Sequence, residues 1–182
     1  MEKALIIIDY TNDFIADDGI LTCGKPGQKI ESYITECIKD FGVQKEFIAF
    51  VNDIHFEDDT YHPENRLFPI HNLFQSEGRQ LYGTVGREFL MRCRMNNVRE
   101  IDKTRYSAFA GTNLDILLRE RNIKEIHLVG VCTDICILHT AIDGYNRGFD
   151  IVVHKNGVAS FDIAGHQWAL HHMENILGAT IV

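Results

Sequence analysis

Apolar runs of strand length recur along the chain, and most of them are continuous rather than alternating. Continuous runs are typical of parallel strands that are buried on both faces of a sheet. They lie at residues 4–8, 47–51, 126–131 and 151–153, with shorter candidates at 98–101 and 179–182. The pattern therefore predicts a mostly parallel central sheet of about six strands.

Segments with helical spacing of apolar residues separate these runs. They cover residues 30–41, 114–118, 137–145 and 163–177. Gly148 and Gly178 follow two of the segments and are predicted to end them, since glycine commonly terminates a helix. Because strand and helix alternate, we predict an α/β fold with helices on both faces of the sheet, in Rossmann-like layers.

Residues 54–97 break this regularity. The stretch is long and rich in histidine and acidic residues, and it holds two of the three prolines. Long irregular stretches in a compact domain are usually functional. With 182 residues, 45% of them hydrophobic, the chain is expected to form one domain over residues 1–182, with a site-forming loop region around 53–97.

The charge pattern and the cysteines limit the partners and the compartment. The net charge is −8 and no basic block is present, so a nucleic-acid partner is not expected. No apolar run has the length of a membrane span, and the N-terminus lacks a signal-peptide pattern. An odd, irregular set of five cysteines indicates a reducing cytoplasm rather than a disulfide framework.

The oligomeric state stays open at this level. Trp168 or the predicted helix at 163–177 is suited to a contact in a homo-oligomer, but core packing explains the same residues equally well.

Polar residues with catalytic chemistry follow four of the predicted strands. Asp9 follows the first, Asp53 and His55 the second, Lys103 the third, and the fourth enters a corner at residues 132–136. Ligands bind outside the carboxyl ends of the strands in open parallel sheets. These side chains are therefore expected to face one crevice.

Cys136 lies at the predicted corner between a strand and a helix. Unpaired N–H groups and the positive end of a helix dipole favour a thiolate there, although buried cysteines are also common for packing reasons alone. A cysteine nucleophile needs a base and a nearby positive charge. Asp9 and Lys103 supply both, while a turn-capping Asp9 and a solvated Lys103 are the plainer interpretations.

A second group of side chains is typical of a metal site. Asp53 and His55 are two residues apart, so they point to the same side of an extended strand end, and Glu64 and His71 follow in a proline-containing loop. Such a set suits zinc, iron or manganese, and the spacing does not choose among them. His62 competes by proximity, and capping or packing roles explain the histidines as well.

Three motif blocks resemble those of the isochorismatase-like cysteine hydrolases. They are residues 9–14 (Asp-Tyr-Thr-Asn-Asp-Phe), 103–109 (Lys-Thr-Arg-Tyr-Ser-Ala-Phe), and 130–136 followed by His-Thr-Ala at 139–141. The blocks keep their order over most of the chain. The resemblance implies a catalytic triad of Asp9, Lys103 and Cys136.

The same resemblance implies details of the backbone. It predicts a cis peptide between Val131 and Cys132, which would place the Cys132 N–H beside that of Cys136 in an oxyanion hole. Thr11 departs from the glutamine that many relatives carry. The departure puts the details of substrate binding in doubt and leaves the triad unaffected.

Within this superfamily the sequence is most similar to the nicotinamidases. Asp53, His55 and His71 match their metal ligands, and Glu64 matches an extra ligand of some bacterial members. The resemblance implies one divalent metal, with zinc favoured over iron or manganese. It further implies hydrolysis of nicotinamide to nicotinic acid and ammonia through a Cys136 thioester, a reaction of NAD salvage.

The expected walls of the substrate pocket are aromatic. Phe14, Phe68 and Tyr106 lie in or beside the motif blocks and are suited to stacking on a pyridine ring, although each would serve equally as plain core.

Three other functions compete with this interpretation. Another amidase or ureido-hydrolase of the superfamily would use the triad on a non-aromatic amide without the metal. A nucleotide-binding module is disfavoured because no Gly-x-Gly-x-x-Gly motif follows the first strand. A redox pair of Cys132 and Cys136 is disfavoured because three residues separate them rather than two.

Overall fold

The computed structural model describes residues 2–182, so Met1, the first residue of the predicted domain, lies outside the described residues. Six parallel strands form one sheet in the order β3-β2-β1-β4-β5-β6. They are β1 (Lys3–Ile8), β2 (Phe47–Asp53), β3 (Val98–Lys103), β4 (Glu125–Val131), β5 (Asp150–Ala159) and β6 (Thr180–Ile181). The predicted parallel sheet is confirmed.

Among residues 2–182, seven α-helices cover the two faces of the sheet. They are α1 (Asn12–Ile15), α2 (Gly24–Lys29), α3 (Glu31–Val43), α4 (Gly83–Arg92), α5 (Leu114–Glu120), α6 (Leu138–Asn146) and α7 (Ile163–Ile176), with a 3-10 turn at Pro63–Arg66 and a π-helical turn at Thr133–Ile137. Leu5 and Ile7 of β1 join the core under α1–α4, whereas Ile6 and Ile8 join the core with α5–α7. This alternation explains why residues 4–8 of the strand are all apolar.

One predicted boundary was wrong. The fifth strand extends well past the predicted 151–153, because Lys155 and Asn156 are exposed where the register with β4 shifts, and Val158 and Ala159 then resume the pairing. An irregularity of this kind puts polar residues inside a strand. The predicted loop region 53–97 also contains α4 and the 3-10 turn, and the buried positions of α4 include Gly86 and Glu88, which carry no apolar signal.

Glycines mark the places where the chain needs a special backbone. Gly148 and Gly178 have φ of 76° and 65° and follow the capping residues Arg147 of α6 and Leu177 of α7, so both predicted helix ends are confirmed. Gly130 has φ of 119°, and a Cβ there would lie 2.0 Å from the carbonyl oxygen of Ile8. Only glycine lets β4 pass this close to β1 directly before the nucleophile turn, which we define as Cys132–Cys136.

A pair of histidines links the sheet to α3. His127 Nδ1 and His154 Nε2 lie 2.8 Å apart, and His154 Nδ1 lies 3.0 Å from the hydroxyl of Tyr33 on α3. Burial, with help from His127 and Lys3, lowers the pKa of His154 to about 4. The pair is therefore neutral at pH 7 and serves as a buried polar contact.

The order of the strands indicates where a ligand-binding crevice lies. The connection after β1 runs to β2 on one side, whereas the connection after the neighbouring β4 runs to β5 on the other side. Ligands of open α/β sheets bind outside the strand ends at such a point. Within residues 2–182, no helix combines the length and the apolar character needed to cross a membrane.

Candidate active site

The carboxyl ends of four strands bring the predicted catalytic side chains together. Asp9 follows β1 with φ of 53°, Asp53 and Lys103 are register partners at the ends of β2 and β3, and Cys136 lies in the turn after β4. Because the four strands are parallel, their ends share one edge of the sheet. The crevice expected from the sequence is present there.

Lys103 lies at the centre of this cluster. Its Nζ is 2.8 Å from Asp9 Oδ2 and 3.6 Å from Cys136 Sγ, and it also contacts Asp53 Oδ1. The backbone N–H of Asp53 donates to Asp9 Oδ1 at 2.7 Å. Lys103 is 1% exposed, so the interpretation as a solvated surface lysine was wrong.

The pKa shifts at the site indicate that Asp9 accepts the proton of the Cys136 thiol. Burial, reinforced by Asp53, raises the pKa of Asp9 to about 6. Burial also raises the pKa of the Cys136 thiol well above its usual range, while Lys103 acts in the opposite direction. Burial would lower the pKa of Lys103, but Asp53 and Asp9 outweigh this effect and keep it above its ordinary value. A carboxylate that titrates near pH 6 is suited to exchange a proton with a buried thiol near neutrality.

The nucleophile turn has the backbone that the resemblance implied. The peptide between Val131 and Cys132 is cis, and the N–H groups of Ile135 and Ile137 both donate to the carbonyl of Cys132 at 3.1 Å. The thiol of Cys132 lies 3.3 Å from that of Cys23. Cys132 therefore has Cys23 as its thiol neighbour, which argues further against a redox pair with Cys136.

Three of the four predicted metal ligands converge beside the triad, and Asp53 groups instead with Asp9 and Cys136. One donor atom from each of His55, Glu64 and His71 lies within 4.8 Å of the others. His71 Nε2 is 3.6 Å from both Asp53 Oδ2 and Glu64 Oε2. Asp53 thus contacts Lys103 through one oxygen and approaches His71 with the other.

These donor atoms are buried without hydrogen-bond partners among residues 2–182. They are Asp53 Oδ2, both ring nitrogens of His55, Glu64 Oε1 and His71 Nε2. Buried polar atoms are costly unless they are paired, and a cation is the partner that carboxylate oxygens and imidazole nitrogens share. His71 Nδ1 lies 2.9 Å from the carbonyl of Pro69, a contact typical of a metal-binding histidine held by its other nitrogen. The residues therefore fit a divalent metal.

His62, the competing ligand, has a different position. Its Nδ1 accepts a hydrogen bond from the backbone N–H of Glu64 at 3.4 Å and so caps the 3-10 turn that begins at Pro63. Its ring lies 3.9 Å from that of His55, centroid to centroid. His62, like Asp53, is outside the cluster formed by His55, Glu64 and His71, and its Nε2 is also buried without a hydrogen-bond partner in the part of the chain that the structure describes.

A small cavity opens above Cys136. Its walls include the three predicted aromatic residues, Phe14, Phe68 and Tyr106. Leu21, Ile135 and Phe161 also line it and were missed by the sequence analysis. Ile135 lies inside a recognised motif, and Phe161 follows β5, so the strand-end rule would have found Phe161 had the strand been predicted at full length. No sequence signal marks Leu21.

Comparison with known proteins identifies the family. The model of the isochorismatase domain matches residues 3–182. The chain belongs to the isochorismatase family. An isochorismatase family protein of Bacillus subtilis, PncA, is 55% identical over 181 residues, which cover 100% of this chain and 99% of that protein.

Two solved structures are also similar to this chain along its whole length. The nicotinamidase/pyrazinamidase PncA of Bacillus subtilis has 52% identity and a TM-score of 0.98, with 100% of both chains covered. The pyrazinamidase of Pyrococcus horikoshii, solved in complex with zinc, has 25% identity and a TM-score of 0.86, covering 100% of this chain and 99% of that one.

Thr11, at the position where the resemblance leads us to expect glutamine, has a structural role in the loop that carries His71. It is fully buried, and its hydroxyl donates to Asn72 Oδ1 at 2.8 Å. The backbone N–H of Asn72 in turn donates to Asp13 Oδ2 at 2.7 Å. Thr11 and Asp13 therefore hold the residue next to His71, so Thr11 lies beside the predicted metal site.

Proposed function

We propose that the protein is a nicotinamidase that hydrolyses nicotinamide to nicotinic acid and ammonia. One observation carries the proposal: Asp53 joins the group around the thiol to the unpaired donor atoms of the predicted metal site. A pyridine carboxamide has two matching groups, a ring nitrogen that a cation binds and an amide carbon that a thiolate attacks. The names of the similar Bacillus structures support the same reaction.

The first half-reaction forms a thioester. Asp9 accepts the proton of Cys136, and Lys103 stabilises the resulting charges from 2.8 and 3.6 Å. The thiolate adds to the amide carbon, and the N–H groups of Cys132 and Cys136 stabilise the oxyanion. Asp9 then returns the proton to the departing nitrogen, which leaves as ammonia.

The second half-reaction hydrolyses the thioester. Asp9 is again a carboxylate after ammonia has left, so it accepts a proton from water as the water attacks the acyl carbon. The same oxyanion donors serve this step. Cys136 leaves as a thiolate beside Lys103, and nicotinic acid is released.

Asp53, His55, Glu64 and His71 would hold one divalent metal, for which we propose zinc, with iron and manganese as the alternatives. When bound, the cation supplies a Lewis-acid contact for the pyridine nitrogen, which orients the ring. Phe14, Phe68 and Tyr106 provide apolar walls for that ring.

We further propose that the enzyme acts in the cytoplasm as part of NAD salvage, on a small-molecule substrate. A catalytic thiol and an odd number of cysteines both suit a reducing compartment. One domain spanning residues 1–182 would carry the whole site. A homo-oligomer is compatible with the exposed Trp168 on α7.

The test measures ammonia release from nicotinamide by the purified protein, with metal quantified on the same sample. Cys136→Ala is compared with Cys93→Ala, which removes an exposed thiol at the end of α4. We expect turnover in the wild type and in Cys93→Ala, none in Cys136→Ala, and about one metal per chain in all three.

Turnover that persists in Cys136→Ala would exclude Cys136 as the nucleophile. A wild type that binds metal and ignores nicotinamide would redirect the proposal to other aromatic amides. A wild type with neither metal nor nicotinamide turnover would favour a ureido-hydrolase or an amidase that acts on non-aromatic amides.

A further inference from the structure

The nucleophile turn is held from outside the triad by the first turn of α7. Thr133, fully buried within the turn, has its hydroxyl oxygen 2.8 Å from Nδ1 of His166. Next to it, Asp134 Oδ1 accepts a hydrogen bond from the hydroxyl of Ser160 at 2.6 Å. Two consecutive side chains of the turn are thus bound to residues at the N-terminus of α7.

The fit between the two elements is close. A Cβ at Gly165 would lie 2.3 Å from Asp134 Oδ2, so the carboxylate occupies the space that the missing side chain leaves. Ser160 Oγ also accepts from the N–H of Asp162 at 3.3 Å, and Asp162 caps α7 by accepting from the N–H of Ala164 at 3.0 Å. A continuous set of hydrogen bonds therefore joins the turn to the helix cap.

The helix is a firm support for this contact. Ala169 and Met173 anchor α7 in the core, and both are fully buried. Burial lowers the pKa of His166, so its ring is neutral at pH 7. The core thereby sets the position of His166, and His166 sets the position of Thr133.

We propose that His166 is a positioning residue for amide hydrolysis: through Thr133 it holds the nucleophile turn so that the N–H groups of Cys132 and Cys136 point to one oxyanion. Thr133 directly follows one of these donors and precedes the other. Oxyanion donors act through their fixed placement, so a loosened turn weakens stabilisation of the transition state. The inference rests on the proposed function.

The thiol itself is held by other groups. Lys103 lies 3.6 Å from Cys136 Sγ, and neither Lys103 nor Asp9 touches α7 in the contacts described above. Loss of His166 should therefore slow acyl transfer, which needs the oxyanion donors. It should spare alkylation of the thiol by iodoacetamide, which forms no oxyanion.

The experiment compares His166→Ala, His166→Asn and Gln167→Ala in the metal-loaded enzyme. Asparagine keeps a polar side-chain atom near the position of Nδ1, and Gln167 is the exposed neighbour of His166 on α7. The measured quantities are kcat and KM for nicotinamide and the rate at which iodoacetamide abolishes activity.

We expect His166→Ala to lower kcat about 10-fold, less than the loss of a whole oxyanion donor, with KM changed by less than about twofold. His166→Asn should recover most of the loss, and Gln167→Ala should match the wild type. The iodoacetamide rate should be the same in all of them.

A second pair of variants tests the route through Thr133. Thr133→Val removes the hydroxyl while keeping the shape of the side chain, so it should lose as much kcat as His166→Ala. The double variant should lose no more than either single variant, because both remove the same contact. Additive losses would contradict the coupling.

Each failure can be told apart. An active wild type whose kcat is unchanged in His166→Ala would overturn the inference and leave the proposed function standing. A parallel fall in turnover and in the iodoacetamide rate would show general disruption of the site and would also overturn it. No ammonia release by the wild type would refute the proposed function, and this role of His166 with it.

Discussion

Replacing Lys103 with methionine tests how the buried charges of the site are balanced. Lys103 contacts Asp9 and Asp53, and all three side chains are at most 1% exposed. Methionine has nearly the same length and no charge, so it fills the space while leaving two buried carboxylates without their cation. Removing one partner of a buried ion pair destabilises far more than the pair stabilises.

The expected loss is about 3 to 5 kcal/mol at pH 7.5, the usual cost of breaking a buried pair. Domains commonly have a total unfolding free energy of about 5 to 15 kcal/mol, so the variant should still fold but with little reserve. With a urea dependence of about 2 kcal/mol per molar, the unfolding midpoint should fall by about 2 M.

The loss should depend on pH in a defined direction. Asp9 already has its pKa raised to about 6 by burial and Asp53, and Lys103 is a group that lowers it, so the variant should raise it further. Between the ordinary value of 3.8 and this raised value, the native variant binds more protons than the unfolded chain. Its stability therefore falls as pH rises through that window, and the loss relative to wild type should be smaller at pH 5 than at pH 7.5.

The assay is urea unfolding followed by circular dichroism at both pH values, with EDTA present so that a bound metal does not neutralise Asp53. Lys155→Met, which removes an exposed lysine from β5, is the matched control. A Lys103→Met protein as stable as the wild type at pH 7.5 would refute the reasoning, and so would an equal loss at the two pH values.

Two further outcomes are expected. His71→Ala should lose bound metal, whereas His62→Ala should keep it because His62 caps the 3-10 turn instead. Elemental analysis of the two purified variants measures this difference. Equal metal content in the two variants would contradict the assignment of His71 as a ligand. His154, with a pKa lowered by burial to about 4 against 6.5 in the unfolded chain, binds its proton more readily when unfolded, so stability should fall as pH drops through this window. His154 contributes about 2 kcal/mol to the change in unfolding free energy between pH 7 and pH 5. The urea midpoint of His154→Leu should therefore fall less over this range than that of the wild type. An unchanged pH dependence in that variant would exclude His154 as the source.

The parts of the structure that could be predicted from the sequence are those to which a local sequence pattern applies. Continuous apolar runs located the strands, and the strand-end rule led to Asp9, Lys103 and Cys136, because parallel strands present their ends at one edge. β5 was cut short where Lys155 and Asn156 face solvent, and the loss of its true end hid Phe161.

Other features depend on tertiary packing, which local patterns do not encode. α4 buries Gly86 and Glu88 beside Val85, so two of its three buried positions carry no apolar side chain and its apolar pattern is interrupted. The contact between Thr133 and His166 exists only because α7 packs beside the turn after β4. The spacing of Thr133 and His166 along the chain does not predict this contact.

The position of β1 has a consequence for the order in which the molecule is assembled during synthesis. This strand is made first, yet it lies in the middle of the sheet, pairing with β2 on one side and with β4 on the other. Until β4 has been synthesised, the edge of β1 that pairs with β4 has no partner in this sheet, and unpaired edges of apolar strands associate readily with other chains. The strand that pairs with this edge is also the one that leads into the turn with Cys136, so the same pairing that covers the edge of β1 brings the thiol to Asp9.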